Sequence, residues 1–118
     1  MENSNILQKA DGDDCEMLAF TTVPDMITAE ALAVAFIDAK LVSCVQIGAQ
    51  IQSFYIWEGK SCAEKEIPLT VKFLASKENL IFETLKKIHP YDCPEWISFK
   101  AQNISSRYAN WMKGKYGI

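Results

Sequence analysis

Two stretches of helical periodicity, each flanked by stretches that read as strands, predict an α+β fold. The order is strand, helix, strand, strand, helix, strand, then a short last helix. This is the ferredoxin-like split βαβ arrangement (βαββαβ), an antiparallel four-stranded sheet with two helices on one face and right-handed crossovers. Two details support it. The long alternation over residues 41–57 runs at once into a turn and a return strand, and Pro90 ends the second helix ahead of the last strand.

With 118 residues the chain fits one domain, large enough to bury a core without disulfide or metal staples. Hydrophobic residues make up 49% and charged residues 23%, the balance of a globular rather than a disordered chain. Residues 1–14 are polar and end in Asp11-Gly12-Asp13-Asp14, too little apolar surface to offset the entropy of ordering them. They are expected to form a flexible N-terminal tail, leaving 15–118 as a single domain.

From about Cys15, the run Met17 to Val23 makes a short apolar strand of the kind buried on both faces, closed by Pro24-Asp25. Asp25 is placed to cap a helix over 26–40 by accepting first-turn amides. Ile27, Ala31, Val34, Ala35 and Asp38 share one line of that helix with Leu32 and Phe36 beside it, so its apolar surface is wide enough to need cover beyond the sheet. Residues 41–57 alternate more cleanly than any other stretch. Val45, Ile47, Ala49, Ile51, Ser53, Tyr55 and Trp57 fall on one face, and Gln46, Gln50 and Gln52 on the other. At ~3.3 Å per residue such a strand exceeds ~50 Å, so it must bend at Gly48 or project as an arm whose bare amides invite a second chain.

Glu58-Gly59-Lys60-Ser61 forms the turn. The return strand places Ile67, Leu69, Val71 and Phe73 on one face, and Pro68 requires an edge, a bulge or an outward-facing nitrogen. Ser76 is a candidate cap for the second helix, whose stripe is Ile81, Leu85 and Ile88 and whose Lys86 and Lys87 suit its negative end. Residues 96–101 alternate as the last strand, with Ile97 and Phe99 expected on the core face. Ser105 or Ser106 is expected to cap the final helix, where Tyr108, Trp111 and Met112 share a face and Gly114 is the stop.

The chemistry concentrates in Ile88-His89-Pro90-Tyr91-Asp92-Cys93-Pro94-Glu95, which holds the only histidine. His89 suits a metal ligand or an acid–base group, and Cys44 and Cys93 are thiols that suit copper(I). A histidine at a helix end is more commonly just hydrogen-bonded, and free cysteine more commonly a small buried apolar residue. Glu58, Glu66, Asp92 and Glu95 are candidates for a carboxylate cluster. The four cysteines form no C-x-x-C pair, and no nucleophile elbow, phosphate loop or metalloprotease helix is present, so an enzyme is not expected. A formal charge of −3 with no Lys/Arg run argues against nucleic acid or an anionic membrane as partner. The longest apolar run, 31–37, is too short to span a bilayer, and the first 14 residues show no secretory pattern, so the expected location is cytoplasmic.

Thr22-Val23-Pro24-Asp25, Leu41-Val42-Ser43-Cys44-Val45, Ser53-Phe54-Tyr55-Ile56-Trp57-Glu58-Gly59-Lys60, Glu66, Lys72, His89-Pro90-Tyr91-Asp92-Cys93-Pro94-Glu95 and Tyr108-Ala109-Asn110-Trp111 together resemble the CutA divalent-cation tolerance family. The resemblance implies a compact homotrimer in which the long second and third strands pair between subunits, similar in plan to PII signalling proteins. It also implies a link to tolerance of copper and other divalent cations, some relatives binding copper. Position by position it carries over a polar cluster of Cys44, Tyr55, Trp57, Glu58, Glu66, Lys72, His89, Tyr91 and Glu95. Thr21 departs from it, standing where some relatives have a cysteine, as do Phe73, Pro68, Asp92 and the additional thiol of Cys93. The leading expectation is a non-enzymatic trimer in the metal-ion response, with His89, Cys44 and Cys93 as metal ligands and Tyr55, Trp57, Glu58, Glu66, Lys72, Tyr91 and Glu95 lining a cleft for copper or another divalent cation. The alternative is a PII-like signalling or scaffold trimer that uses Lys72 to bind a small anion, or that binds a protein partner.

Overall fold

A computed structural model describes residues 5–10, 12 and 14–114. Over those residues it is a mixed α+β protein with three α-helices, α1 (Met26–Asp38), α2 (Glu78–Ile88) and α3 (Ser106–Met112). Its main sheet contains β2 (Glu16–Val23), β3 (Cys44–Ile47), β4 (Ile51–Trp57), β5 (Lys60–Leu74) and β6 (Ile97–Lys100), all paired antiparallel. The strand order is β3-β5-β2-β6, with β4 also on β5.

Alternation sorts the two faces. Ala19 and Val23 of β2 and Ile67, Leu69, Val71 and Phe73 of β5 point to one side, where Ala29, Leu32 and Phe36 of α1 and Ile81 and Leu85 of α2 cover them. Asp25 caps α1 through Thr28 N–H at 2.8 Å, which holds its carboxyl below the ordinary Asp range. The buried face of α1 is thus Ala29, Leu32 and Phe36, while Ile27 and Val34 stay exposed. Beyond α1, Lys40 takes φ +57 so that Leu41 N–H can reach the Phe36 carbonyl at 3.0 Å, a left-handed helix stop.

The long strand is interrupted by a bulge. Ile47 pairs with Leu69 and Ile51 with Glu66, so three residues, Gly48 to Gln50, face two, Ile67 and Pro68. Gly48 N–H donates to the Pro68 carbonyl at 2.9 Å. In an antiparallel strand a residue's nitrogen and carbonyl face the same way, so the missing donor of Pro68 also faces the break, where no ladder needs it. A side chain at Gly48 would stand 3.0 Å from Pro68 Cγ. The extra residue flips the side chains beyond it. Val45 and Ile47 share the core face with Val71 and Leu69, whereas Ser53, Tyr55 and Trp57 share the other face with Glu64, Cys62 and Lys60. The single face expected over residues 45–57 is therefore two half-faces. Glu58 and Gly59, with φ +50 and +79, close the hairpin in two residues.

Ile97 and Phe99 also differ from expectation. They pair with Phe20 and Leu18 on the helix-free face, Phe20 and Phe99 meeting at 5.4 Å, and Trp96 turns inward onto Phe73 and Phe82 instead. Ser76 does not cap α2. A 3-10 turn, Ala75–Lys77, precedes it, and Ser76 donates to the Asp14 carboxylate through N–H at 2.8 Å and Oγ at 2.9 Å.

Order also begins earlier than Cys15. β1 (Leu7–Lys9) pairs antiparallel with β7 (Asn103–Ser105), and Ala10 is buried. Asn5 Oδ1 accepts from Arg107 N–H at 3.3 Å, Ser106 N–H donates to the Ile6 carbonyl at 2.7 Å, and Ser106 Oγ accepts from Ile6 N–H at 3.1 Å. Residues 5 and 6 thus satisfy two of the first-turn amides of α3, where the Ser105 side chain makes no capping bond. Residues 1–4 of the expected tail and 115–118 of the expected domain lie outside the described residues. Deleting residues 1–10 is expected to lower the unfolding free energy by roughly 1–2 kcal/mol, the scale of a lost helix cap and a short ladder. Urea denaturation of the truncated chain checks this.

Candidate functional site

The bulge and the 89–95 loop together build a cleft of about 660 Å³. One wall is the β4–β5 arm, which contributes Ser53, Tyr55, Trp57, Glu64 and Glu66; the other is the loop, with Tyr91, Asp92, Cys93 and Glu95. Thr22 closes the inner end. Glu64 and Glu66 sit two apart on β5, so their carboxylates leave the same face, and Glu66 Oε2 accepts from Thr22 Oγ1 at 3.2 Å.

Two hydrogen bonds tie the loop to β2. His89 is buried, and its Nε2–H donates to the Thr22 carbonyl at 2.7 Å while Nδ1 accepts from Tyr91 N–H at 3.2 Å. Tyr91 N–H can only donate and the Thr22 carbonyl can only accept, which fixes the neutral Nε2–H tautomer. Thr21 Oγ1, fully buried, donates to the Glu95 carbonyl at 2.6 Å. Both loop ends are therefore anchored on consecutive residues of one strand.

The cleft is acidic. Among the described residues its charged lining is Glu64, Glu66, Asp92 and Glu95, with no lysine or arginine. Partial burial, then the charges of Glu66 and Glu64, then Tyr55 and a hydrogen bond to Glu66, push the Tyr91 phenol above its ordinary range. Tyr55 is raised in the same way, by desolvation first, then by Glu64, Cys62 and Glu66 and by a hydrogen bond to Glu64.

Of the residues expected to line a cleft, Tyr55, Trp57, Glu66, Tyr91 and Glu95 do so. Glu58 occupies the hairpin turn, and Lys72 lies over the Tyr108 ring at 5.4 Å, away from the lining. The expected ligands His89, Cys44 and Cys93 do not come together. His89 has both ring nitrogens engaged, Cys44 pairs with Lys72 on β3, and only Cys93 reaches the cleft. Among the described residues no three His, Cys, Asp or Glu side chains are grouped to hold a metal ion, so these donors do not fit a closed metal centre within one chain. Glu64 was not among the expected site residues. Its signal is the Glu64-x-Glu66 spacing, which on a strand puts two carboxylates on one face.

A small α+β protein with a projecting β-arm over an acidic cleft is the class that fold and site define. The sequence profile described as CutA1 divalent ion tolerance protein matches residues 17–115, and the chain belongs to that family. A relative from Thermotoga maritima described as divalent-cation tolerance protein CutA is 29% identical over 97 residues, covering 82% of this chain and 95% of the relative. The crystal structure of CutA1 from Shewanella sp. SIB1 is 35% identical with a TM-score of 0.80, covering 83% of this chain and 92% of that one. That of CutA1 from Oryza sativa is 33% identical with the same TM-score of 0.80, covering 84% and 91%.

Replacing His89 with Ala leaves the Thr22 carbonyl and Tyr91 N–H without their partner and is expected to cost roughly 2–4 kcal/mol in denaturant unfolding. In alkaline spectrophotometric titration Tyr91 is expected to ionise above about 10, the ordinary phenol value, and Glu66→Gln to bring it down. A raised phenol pKa favours the protonated form in the folded state. The stability it contributes is present below the ordinary phenol pKa and lost as pH rises through the raised one.

Proposed function

We propose that the protein serves divalent-cation tolerance as a non-enzymatic homotrimer that takes up a partly hydrated divalent cation in the acidic cleft. The observation that carries this is the lining: among the described residues, four carboxylates, two phenols raised above their usual range, and no cationic side chain. One or two carboxylates suffice for a hydrated divalent ion that keeps several waters, which agrees with the absence of a three-donor group among the described residues. The anion-binding alternative depends on Lys72, and Lys72 lies over Tyr108 rather than in the lining. Acidic walls of low dielectric concentrate cations and repel anions.

Assembly is supported by apolar surface that one chain leaves bare. Phe20, Ile97 and Phe99 are exposed on the helix-free face, and Phe54 and Ile56 on the arm are 76% and 75% exposed. Among the described residues β4 pairs only with β5, so its outer edge offers backbone groups to another copy. Native mass spectrometry with and without manganese(II) or copper(II) tests both parts of the proposal. The expected result is three times the 13.3 kDa chain mass, with cation uptake weakened about tenfold or more by Glu64→Gln/Glu66→Gln and unchanged by Lys72→Ala. A stable monomer overturns the assembly. Cation uptake indifferent to both glutamates overturns the cleft, and phosphate binding abolished by Lys72→Ala installs the anion reading in its place.

A further inference from the structure

The cleft is larger than a hydrated metal ion needs, and part of its wall cannot ligate one. A divalent ion with six waters takes about 180 Å³, against the 660 Å³ between the arm and the 89–95 loop. Tyr55, Trp57 and Tyr91 line the same space with half-exposed rings, and the Tyr91 ring packs against His89 with centroids 4.8 Å apart. Aromatic faces contribute nothing to the oxygen shell of a hard divalent ion. They do attract ammonium groups and cover the methylene chains that carry them.

The carboxylates are paired with those rings and spaced along a strand. Tyr55 donates a hydrogen bond to Glu64 and Tyr91 one to Glu66, so a ring stands beside each carboxylate. Glu64 and Glu66 are two residues apart on β5 and leave the same face, which separates them by ~7 Å along the strand. Glu66 is only 8% exposed, and among the described residues no lysine or arginine lines the cleft to neutralise it. A carboxylate so enclosed favours a mobile positive charge beside it.

We infer that the cleft binds an aliphatic diamine or polyamine, with one ammonium at Glu66 and Tyr91 and the next at Glu64 and Tyr55. A four-carbon spacer sets its nitrogens about 6 Å apart, close to the spacing of the two carboxylates. A longer polyamine continues along the arm toward Trp57. The inference rests on the reading of the cleft as a cation site and adds a class of cation to it. Metal and amine then compete for Glu64 and Glu66.

Isothermal titration calorimetry of the full chain with 1,4-diaminobutane, butylamine and manganese(II), at one ionic strength, tests it. The diamine is expected to bind one per chain, about tenfold or more tighter than butylamine, and to be weakened by excess manganese(II). Glu64→Gln and Tyr55→Leu replace exposed side chains, so both variants are expected to fold. The first is expected to bring the diamine down to the butylamine level, and the second to weaken it about fivefold relative to manganese(II). Manganese(II) bound with the diamine no tighter than butylamine, or a diamine indifferent to Tyr55→Leu, overturns this inference and leaves the metal reading standing. The diamine bound as expected without manganese(II) upholds it and removes the metal reading, and neither bound overturns both.

Discussion

A single residue inserted opposite Pro68 governs what the long hairpin can do. Without the bulge at Gly48 to Gln50, Tyr55 and Trp57 would continue the core face of Val45 and Ile47, and the cleft wall would lose its aromatic side chains. With it, the same odd-numbered positions change allegiance and join Glu64 across the arm. Gly48 and Pro68 make the break tolerable, one by leaving room for the proline ring and the other by lacking the donor that a continuous ladder would demand. The binding surface and the core are therefore separated by a backbone defect rather than by a change in hydrophobic pattern.

The second wall depends on neutral hydrogen bonds. His89 and Thr21 hold the loop from inside the protein through the backbone of Tyr91 and Glu95, so the side chains of Tyr91, Asp92 and Glu95 are left to face the cleft. This division explains how a buried imidazole sits beside an acidic pocket without serving as a ligand. It also assigns a role to the hydroxyl at Thr21, which anchors the loop where a thiol would be a weaker donor.

Much of this was legible in the sequence because it rests on local rules. The succession of β2, α1, the long hairpin, α2, β6 and α3, the Asp25 cap, the stop at Pro90 and the turn at Glu58-Gly59 follow from periodicity and from residues with restricted backbones, whereas β1 and β7 have no such signal. The aromatic and carboxylate lining was legible for five positions, since the conspicuous motifs lie on the two elements that converge. What failed was non-local. Alternation cannot reveal a one-residue slip, so faces beyond Gly48 were misassigned. A histidine looks the same in sequence whether its nitrogens are free or bonded, so His89 was read as a ligand. Ile97 and Phe99 were placed inward because apolar residues were assumed to seek the core, whereas Trp96 had already filled it.

The pairing of β1 with β7 has a consequence for how the molecule is made. Ile6 and Ser106 are 100 residues apart in sequence and in direct contact in space. During synthesis β1 leaves the ribosome long before β7, its partner among the described residues, and closing so long a loop yields just a three-residue ladder. The elements matched to the family can condense around β2 and β5 in the meantime. β1 is therefore secured later than the strands that follow it, and it fastens α3 only after residues 103–107 have been made.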